Sequence, residues 1–324
     1  MESRGPRAGV DYPSTWQAFE AWFVDENSCR SFLELQRWPG GFRCPGCGSG
    51  DAWKTARGLW MCRDCSRQTS VTAGTIFHRS RTPLRTWFAA MWFICSQKNG
   101  VSALGLQRVL GFGSYETAWA WMHKLRRAMV RPGRELLGGD GATVEMDSTF
   151  IGGTTGSKSG ARYANKAEVV IAIEIEHPKG YGRIRLRHID SRHRKEELHA
   201  FITDVVAHGS ILRTDGDSIY TAITKALQIT HDPHVVYSSI RPAHELLPGV
   251  HRIASLLKRW LAGTMHDGQA AANLDYYLDE FTFRFNRRKS GSRGMLWYRL
   301  IQQAVNTDPH PLNTLKTTQS DNLS

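Results

Sequence analysis

A chain of 324 residues, 41% hydrophobic and 22% charged, has the make-up of a soluble globular protein with two or three domains. Its longest apolar run, Trp87 to Cys95, spans nine residues, too few for a bilayer, so a membrane partner is excluded. The formal net charge of +12 favours a polyanionic partner, nucleic acid first, although a basic enzyme without one carries the same signature.

From Trp16 to Trp38 the apolar residues Phe19, Trp22, Phe23, Phe32, Leu33 and Leu35 recur at helical spacing. Four cysteines follow in two knuckles, Cys44-Pro45-Gly46-Cys47 and Cys62-Arg63-Asp64-Cys65, with fourteen residues between them. A tetrahedral Zn²⁺ needs four soft ligands, each C-x₂-C places two thiolates on one turn, and the intervening stretch is long enough for a hairpin. This predicts a zinc ribbon over residues 41–78 after a helical segment at 1–40, with Thr69 to Phe77 as its last strand. Two disulfides would call for a secretory signal, and Met1 to Val10 has no apolar stretch to supply one. A redox pair would explain one knuckle and not the other. Cys29 and Cys95 fall outside the pattern and read as ordinary thiols.

Residues 79–131 read as helical. Pro83 opens an apolar helix over Leu84 to Cys95, and Ser102 caps a helix that runs to Leu110. After the turn Gly111-Phe112-Gly113, Ser114 caps another with Ala118, Trp119, Met122, Leu125 and Met129 on its stripe. Two helices joined by a short glycine turn, the second ending in Lys124, Arg126 and Arg127, resemble a DNA-binding helix-turn-helix. A purely structural helical hairpin fits equally well.

Residues 132–142 are a Pro/Gly-rich linker, and beyond them the texture changes. Strands are expected over Thr143–Ile151, Glu168–Glu176, Gly182–Asp190 and Ile211–Thr214, with helices over Lys195–Ala207, Ser218–Leu227 and Val250–Leu261. The fold class is therefore α+β and multidomain, with a mixed sheet flanked by helices over 143–304 and a disordered tail at 305–324. Asp147 closes the run Thr143-Val144-Glu145-Met146 and Asp215 follows Ile211–Thr214, and a carboxylate at such a strand end can hold a divalent cation or simply form a turn. On the last helix, His251 and Lys258 are two turns apart and share a face. Glu145 and Asp217 read as neighbours of the two aspartates, and His231, His234 and His244 as solvated loop residues. Arg284, Arg287, Arg288, Lys289 and Arg293 form a basic cluster able to meet DNA phosphates nonspecifically, and a merely solvated face fits nearly as well.

The blocks VEMDSTFIGG around Asp147, RTDGDSIY around Asp215, LPGVHRIASLLKRWLAGTMH around His251 and YYLDEFTFRFNRR from Tyr276 to Arg288 resemble those of zinc-ribbon insertion-sequence transposases. The resemblance runs from about Trp16 to Ala304 and implies a ribonuclease-H-like domain of the DDE type, in the branch using Asp-Asp-His-Lys. It implies catalytic roles for Asp147, Asp215, His251 and Lys258, with Mg²⁺ or Mn²⁺ on Asp147, Asp215 and His251, and structural Zn²⁺ on Cys44, Cys47, Cys62 and Cys65. Ser148 departs from the pattern where many relatives have a second acid, and Asp217 where an aromatic is frequent. The implied partners are DNA, as element terminal inverted repeats and target, and further copies of the chain in a synaptic dimer or higher oligomer. The implied location is cytoplasmic and nucleoid-associated. A zinc-ribbon DNA-binding regulator without catalysis and a ribonuclease-H-like nuclease are the alternative readings.

Overall fold

The computed structural model describes residues 5–130, 133–152, 166–178, 180–235, 242–265 and 273–309. The chain divides into two compact units, Met1–Arg131 with Lys289–Ser324, and Pro132–Arg288. Among the described residues, no helix is long and apolar enough to cross a membrane.

In the first unit, α1 (Trp16–Trp22) and α2 (Glu26–Arg37) are each started by a side-chain cap: Thr15 accepts from the Ala18 N–H, and Asp25 exchanges bonds with Ser28 in a capping box. The ribbon is an antiparallel sheet of β1 (Ala52–Lys54), β2 (Trp60–Cys62) and β3 (Gln68–Thr69). The strand expected to run on to Phe77 stops at Thr69. Turns replace it because the Arg37 guanidinium gathers the carbonyls of Ser70, Val71 and Ala73 at 3.0, 2.7 and 2.5 Å, folding the backbone around one donor group.

Helices α3 (Leu84–Ser96), α4 (Ala103–Leu110) and α5 (Tyr115–Ala128) follow as expected, with Ser102 and Ser114 as N-caps and Gly111 ending α4 in the left-handed region at φ 67°. The sequence reading placed everything up to residue 304 in the second domain. The helix Arg293–Ala304, α11 in chain order, instead belongs to the first unit. The cause is Trp297, fully buried with its ring 5.4–6.0 Å from those of Phe19, Phe23, Phe32, Phe88 and Trp92. Its indole N–H donates to the Phe88 carbonyl at 3.0 Å, so this large apolar ring is buried with its polar atom satisfied.

The second unit is a five-stranded mixed sheet. Strands β4 (Thr143–Ile151), β5 (Ala167–Ile175) and β6 (Tyr181–Ile189) form an antiparallel meander. Strands β7 (Ile211–Thr214) and β8 (Thr230–Pro233) then add in parallel on the other side of β4, giving the order β6-β5-β4-β7-β8. Strand β8 was not expected, since its Pro233 argues against a strand; its edge position tolerates the missing donor.

Alternation along β4 and β5 divides the core between the two faces. Val144, Met146 and Val170 pack with α6 (Arg194–Val205) and α7 (Ser218–Leu227). Val169, Ile171 and Ile173 pack with α9 (Pro248–Met265) and α10 (Leu274–Asn286), while a four-residue helix, α8 (Ala243–Leu246), precedes α9. The result is the helix-flanked mixed sheet that the resemblance implied. Residues 153–160 of the glycine-rich loop and 310–324 of the expected tail lie outside the described residues.

Candidate active site

The ribbon site is built from two turns. The sulfurs of Cys44, Cys47, Cys62 and Cys65 all lie within 4.8 Å of one another. The pairs Cys44–Cys65 and Cys47–Cys62 stand 3.5 Å apart, close to the ~3.8 Å edge of a tetrahedron with Zn–S bonds of about 2.3 Å. All six cysteines are free of disulfides. The backbone N–H groups of Cys47 and Gly46 turn toward the Cys44 sulfur and hold its thiol down to about 6, favouring the thiolate that a metal binds. Cys62 is fully buried, and Cys44 nearly so, against Phe42, Trp38 and Trp60. The cluster fits a closed structural zinc site. Cys29 and Cys95 are both buried, and burial pushes the Cys29 thiol up to about 12, which leaves it inert.

The carboxylate pair depends on strand pairing. The β4–β7 ladder sets Val144 beside Leu212 and ends with Glu145 beside Arg213. Asp147 stands two residues further on, in the middle of β4 rather than at a strand end, and Asp215 just past the end of β7, near enough for its charge to act on Asp147. Burial pushes the Asp147 carboxyl up to about 7; the Ser148 N–H, donating at 2.7 Å, opposes that shift, and the charge of Asp215 adds to it. Tyr220 of α7 is fully buried, its hydroxyl without a hydrogen-bond partner and its acidity weakened by burial and by the charges of Asp147 and Asp215.

Arg194, at the start of α6, joins Glu168 at 2.9 Å and Asp217 at 3.0 Å and supplies the nearby positive charge. Asp217 also caps α7 through the Ile219 N–H, so the carboxylate standing where relatives often carry an aromatic has two partners of its own. The Asp217 carboxyl is held below its usual range, first by that N–H.

His251 and Lys258 ride on α9. The His251 Nε2 is buried without a hydrogen-bond partner, and burial, then the charges of His244 and Lys258, lower its affinity for a proton. Lys258 is exposed, with its ammonium held below its usual range by partial burial and by Lys166. Electrostatically, then, Asp147 feels Asp215 and His251 feels Lys258. The tie between the two pairs is Glu145: buried on β4, it accepts the Gly249 N–H at 2.8 Å and the Val250 N–H at 3.3 Å, at the first turn of α9.

Three residues around this site were read otherwise from sequence or not singled out. From sequence Glu145 reads as a neighbour of Asp147, and nothing in the pattern singles out Arg194 or Tyr220. The alternation Thr143-x-Glu145-x-Asp147 along a strand otherwise buried was a signal for the first, since an acid facing a core must have partners. His231, expected to be a solvated loop residue, stands in β8 with Nε2 2.9 Å from the Thr214 hydroxyl. His234 contacts Asp232 at 3.2 Å, and His244 is exposed.

The basic candidates separate by exposure. Lys124 is half-buried and Arg126 is 2% exposed, whereas Arg127 is open to solvent. At the end of α10, Arg287 lies over the Phe283 ring at 4.1 Å and donates to the Phe283 carbonyl at 3.3 Å. Arg288 stacks on Phe285 and donates to the carbonyls of Tyr181 and Gly182. Both guanidiniums thus serve the fold of this unit.

Two family models match the chain: an ISXO2-like transposase domain over residues 136–286 and a transposase zinc-ribbon domain over residues 24–68. The chain is also similar to an uncharacterized protein in transposable element ISH50 of Halobacterium salinarum. The two are 24% identical over 285 residues, which cover 81% of this chain and 91% of that protein.

Proposed function

The chain belongs to the insertion-sequence transposases with an N-terminal zinc ribbon, and on that premise we propose that it binds element ends and catalyses metal-dependent DNA cleavage and strand transfer at Asp147 and Asp215. The observation that carries this reading is the nearness of two carboxylates, Asp147 on β4 and Asp215 just past its parallel neighbour β7, the first raised by burial and by the other's charge. A divalent cation fits such a pair: the donors are hard oxygens suited to Mg²⁺ or Mn²⁺, and their mutual repulsion is what a cation relieves. The unpartnered His251 Nε2 and Tyr220 hydroxyl are polar atoms with bonding capacity to spare. Bound there, the cation would stabilise charge on the attacking and leaving oxygens.

The protein's own part is to hold and orient. Water adds to phosphorus as the bond to the element's 3′ oxygen breaks, freeing a 3′-hydroxyl. That hydroxyl then adds to a target phosphorus as the target's own 3′ oxygen leaves. His251, kept neutral near pH 7 by burial, accepts the nucleophile's proton or completes the metal's ligand set. Lys258 meets a phosphate near the scissile bond. The ribbon, the first turn of α5 (Tyr115 to Thr117, all exposed) and Arg127 contact DNA, and two ends are held by at least a dimer.

The test incubates purified protein with Mg²⁺ or Mn²⁺, labelled terminal-repeat DNA and a target plasmid, with Asp147→Ala and Asp215→Ala as controls. Metal-dependent joined products that both substitutions abolish are expected. Cleavage without joining would make the protein a nuclease, and end binding without cleavage would make it a regulator.

A further inference from the structure

We infer that Glu145 is a positioning residue that sets α9 against β4 so that His251 and Lys258 stand beside the Asp147–Asp215 pair; this rests on the proposed function and names the part that assembles its site. Glu145 lies two residues before Asp147 on β4, and the N–H it accepts at 2.8 Å belongs to Gly249, two residues before His251 on α9. One carboxylate therefore stands at a matching offset from a member of each pair. Its Oε2 takes both N–H groups, and its Oε1 faces the Arg213 guanidinium at 3.9 Å. At 1% exposure the side chain has no route to substrate.

The first turn of a helix presents free N–H groups and the positive end of the helix dipole, so a buried carboxylate there fixes the helix both along and across its axis. Burial costs the carboxylate heavily, and the two N–H bonds with the nearby Arg213 offset that cost.

Gly249 is a second, independent sign of the same docking. A Cβ at that position would lie 2.7 Å from Glu145 Oε2, 3.0 Å from the Tyr181 ring and 3.1 Å from Ile173, so only glycine allows the helix to come this close. Arg213 extends the frame outward to β8 through Asp232 at 2.8 Å, bracing the same carboxylate from the strand that leads into Asp215.

The experiment compares full-length wild type with Glu145→Ala, Glu145→Gln and Gly249→Ala. The first readout is independent of activity: histidine-labelled protein is titrated with Mn²⁺, and broadening of the His251 ring signal, assigned with His251→Asn, is followed by NMR. The second is cleavage of terminal-repeat DNA at saturating DNA and Mn²⁺, with DNA affinity and melting temperature measured alongside.

In wild type, Mn²⁺ broadens the His251 signal. In Glu145→Ala and Gly249→Ala the broadening weakens and turnover falls about 100-fold, the scale of a misplacement of about 1 Å, while DNA affinity stays within about threefold. Glu145→Gln, which keeps an acceptor oxygen, recovers turnover to within about tenfold of wild type. If Glu145→Ala fails to fold, Gly249→Ala and Glu145→Gln carry the same comparison. Full broadening and wild-type turnover in a folded Gly249→Ala or Glu145→Ala would overturn the inference, as would a folded Glu145→Gln with Ala-like turnover. Wild-type protein that never cleaves would sink the proposed function instead, and the NMR comparison would still judge Glu145.

Discussion

The four thiols of the ribbon and the two carboxylates of the sheet are both metal-type donor sets, built by opposite strategies. The ribbon sulfurs sit on two local turns, within 4.8 Å of one another, backed by aromatic rings. The carboxylates come from segments 68 positions apart and meet only because β7 pairs with β4, at a cost visible in the raised Asp147 carboxyl. The first arrangement is a closed staple. The second brings two acids near each other and raises one of them, a perturbation that functional sites commonly share.

The sharpest break of this contrast is loss of one carboxylate. Asp147→Ala or Asp215→Ala should lower cleavage and joining about 1,000-fold or more, since each removes a ligand behind several kcal/mol of charge stabilisation, while zinc content stays at one ion per chain by mass spectrometry. Conversely, Cys62→Ser should release the zinc and open residues 41–69 to protease. Structural zinc supplies about 10–16 kcal/mol to such sites, so the ribbon cannot hold its fold without it. End binding in a gel-shift assay should fall with the metal.

A smaller effect separates stability from function. Burial, with the charge of Asp215, pushes the Asp147 carboxyl up to about 7 in the folded protein from its ordinary 3.8. The folded state therefore holds the extra proton between about pH 4 and 7, and stability is lost as pH rises through that window. Asp147→Asn removes the charge, so the metal-free variant should gain about 2–4 kcal/mol at pH 8 and nothing below pH 4, read from urea melts at both values. It should do so while inactive. The smallest effect concerns DNA contacts: Arg127→Ala should reduce the salt slope of DNA binding by about 1. Arg288→Ala should leave that slope unchanged and cost about 1 kcal/mol of stability, because its partners are carbonyls of its own unit.

The same contrast explains what could be read from sequence. C-x₂-C turns are local, so the ribbon and the gathering of its four thiols were legible, as were the serine caps of α4 and α5 and the strands around Asp147. Glu145, Tyr220 and Arg194 were not, because their roles come from long-range pairing: a carboxylate meeting a helix 104 positions on, a buried tyrosine that feels two distant aspartates, and an arginine joining β5 to α7. Trp297 shows the same limit at the level of domains. Its helix follows the second unit in sequence and packs in the first, a choice made by aromatic rings more than 200 positions away. The arginines at the end of α10 looked like a DNA surface by composition; their partners are carbonyls and rings.

The measurement that bears most directly on the carboxylate pair is a calorimetric titration of Mn²⁺ into wild-type and Asp147→Asn protein, repeated in two buffers of different ionisation heat at pH 6.5. A metal that binds at Asp147 must displace the proton which burial and Asp215 hold there. Wild type should therefore bind Mn²⁺ with release of about half a proton or more, binding should tighten as pH rises to 8, and Asp147→Asn should bind about tenfold or more weakly with no release. Equal affinity in the two proteins, with no proton released by either, would contradict a divalent-cation site at Asp147 and Asp215.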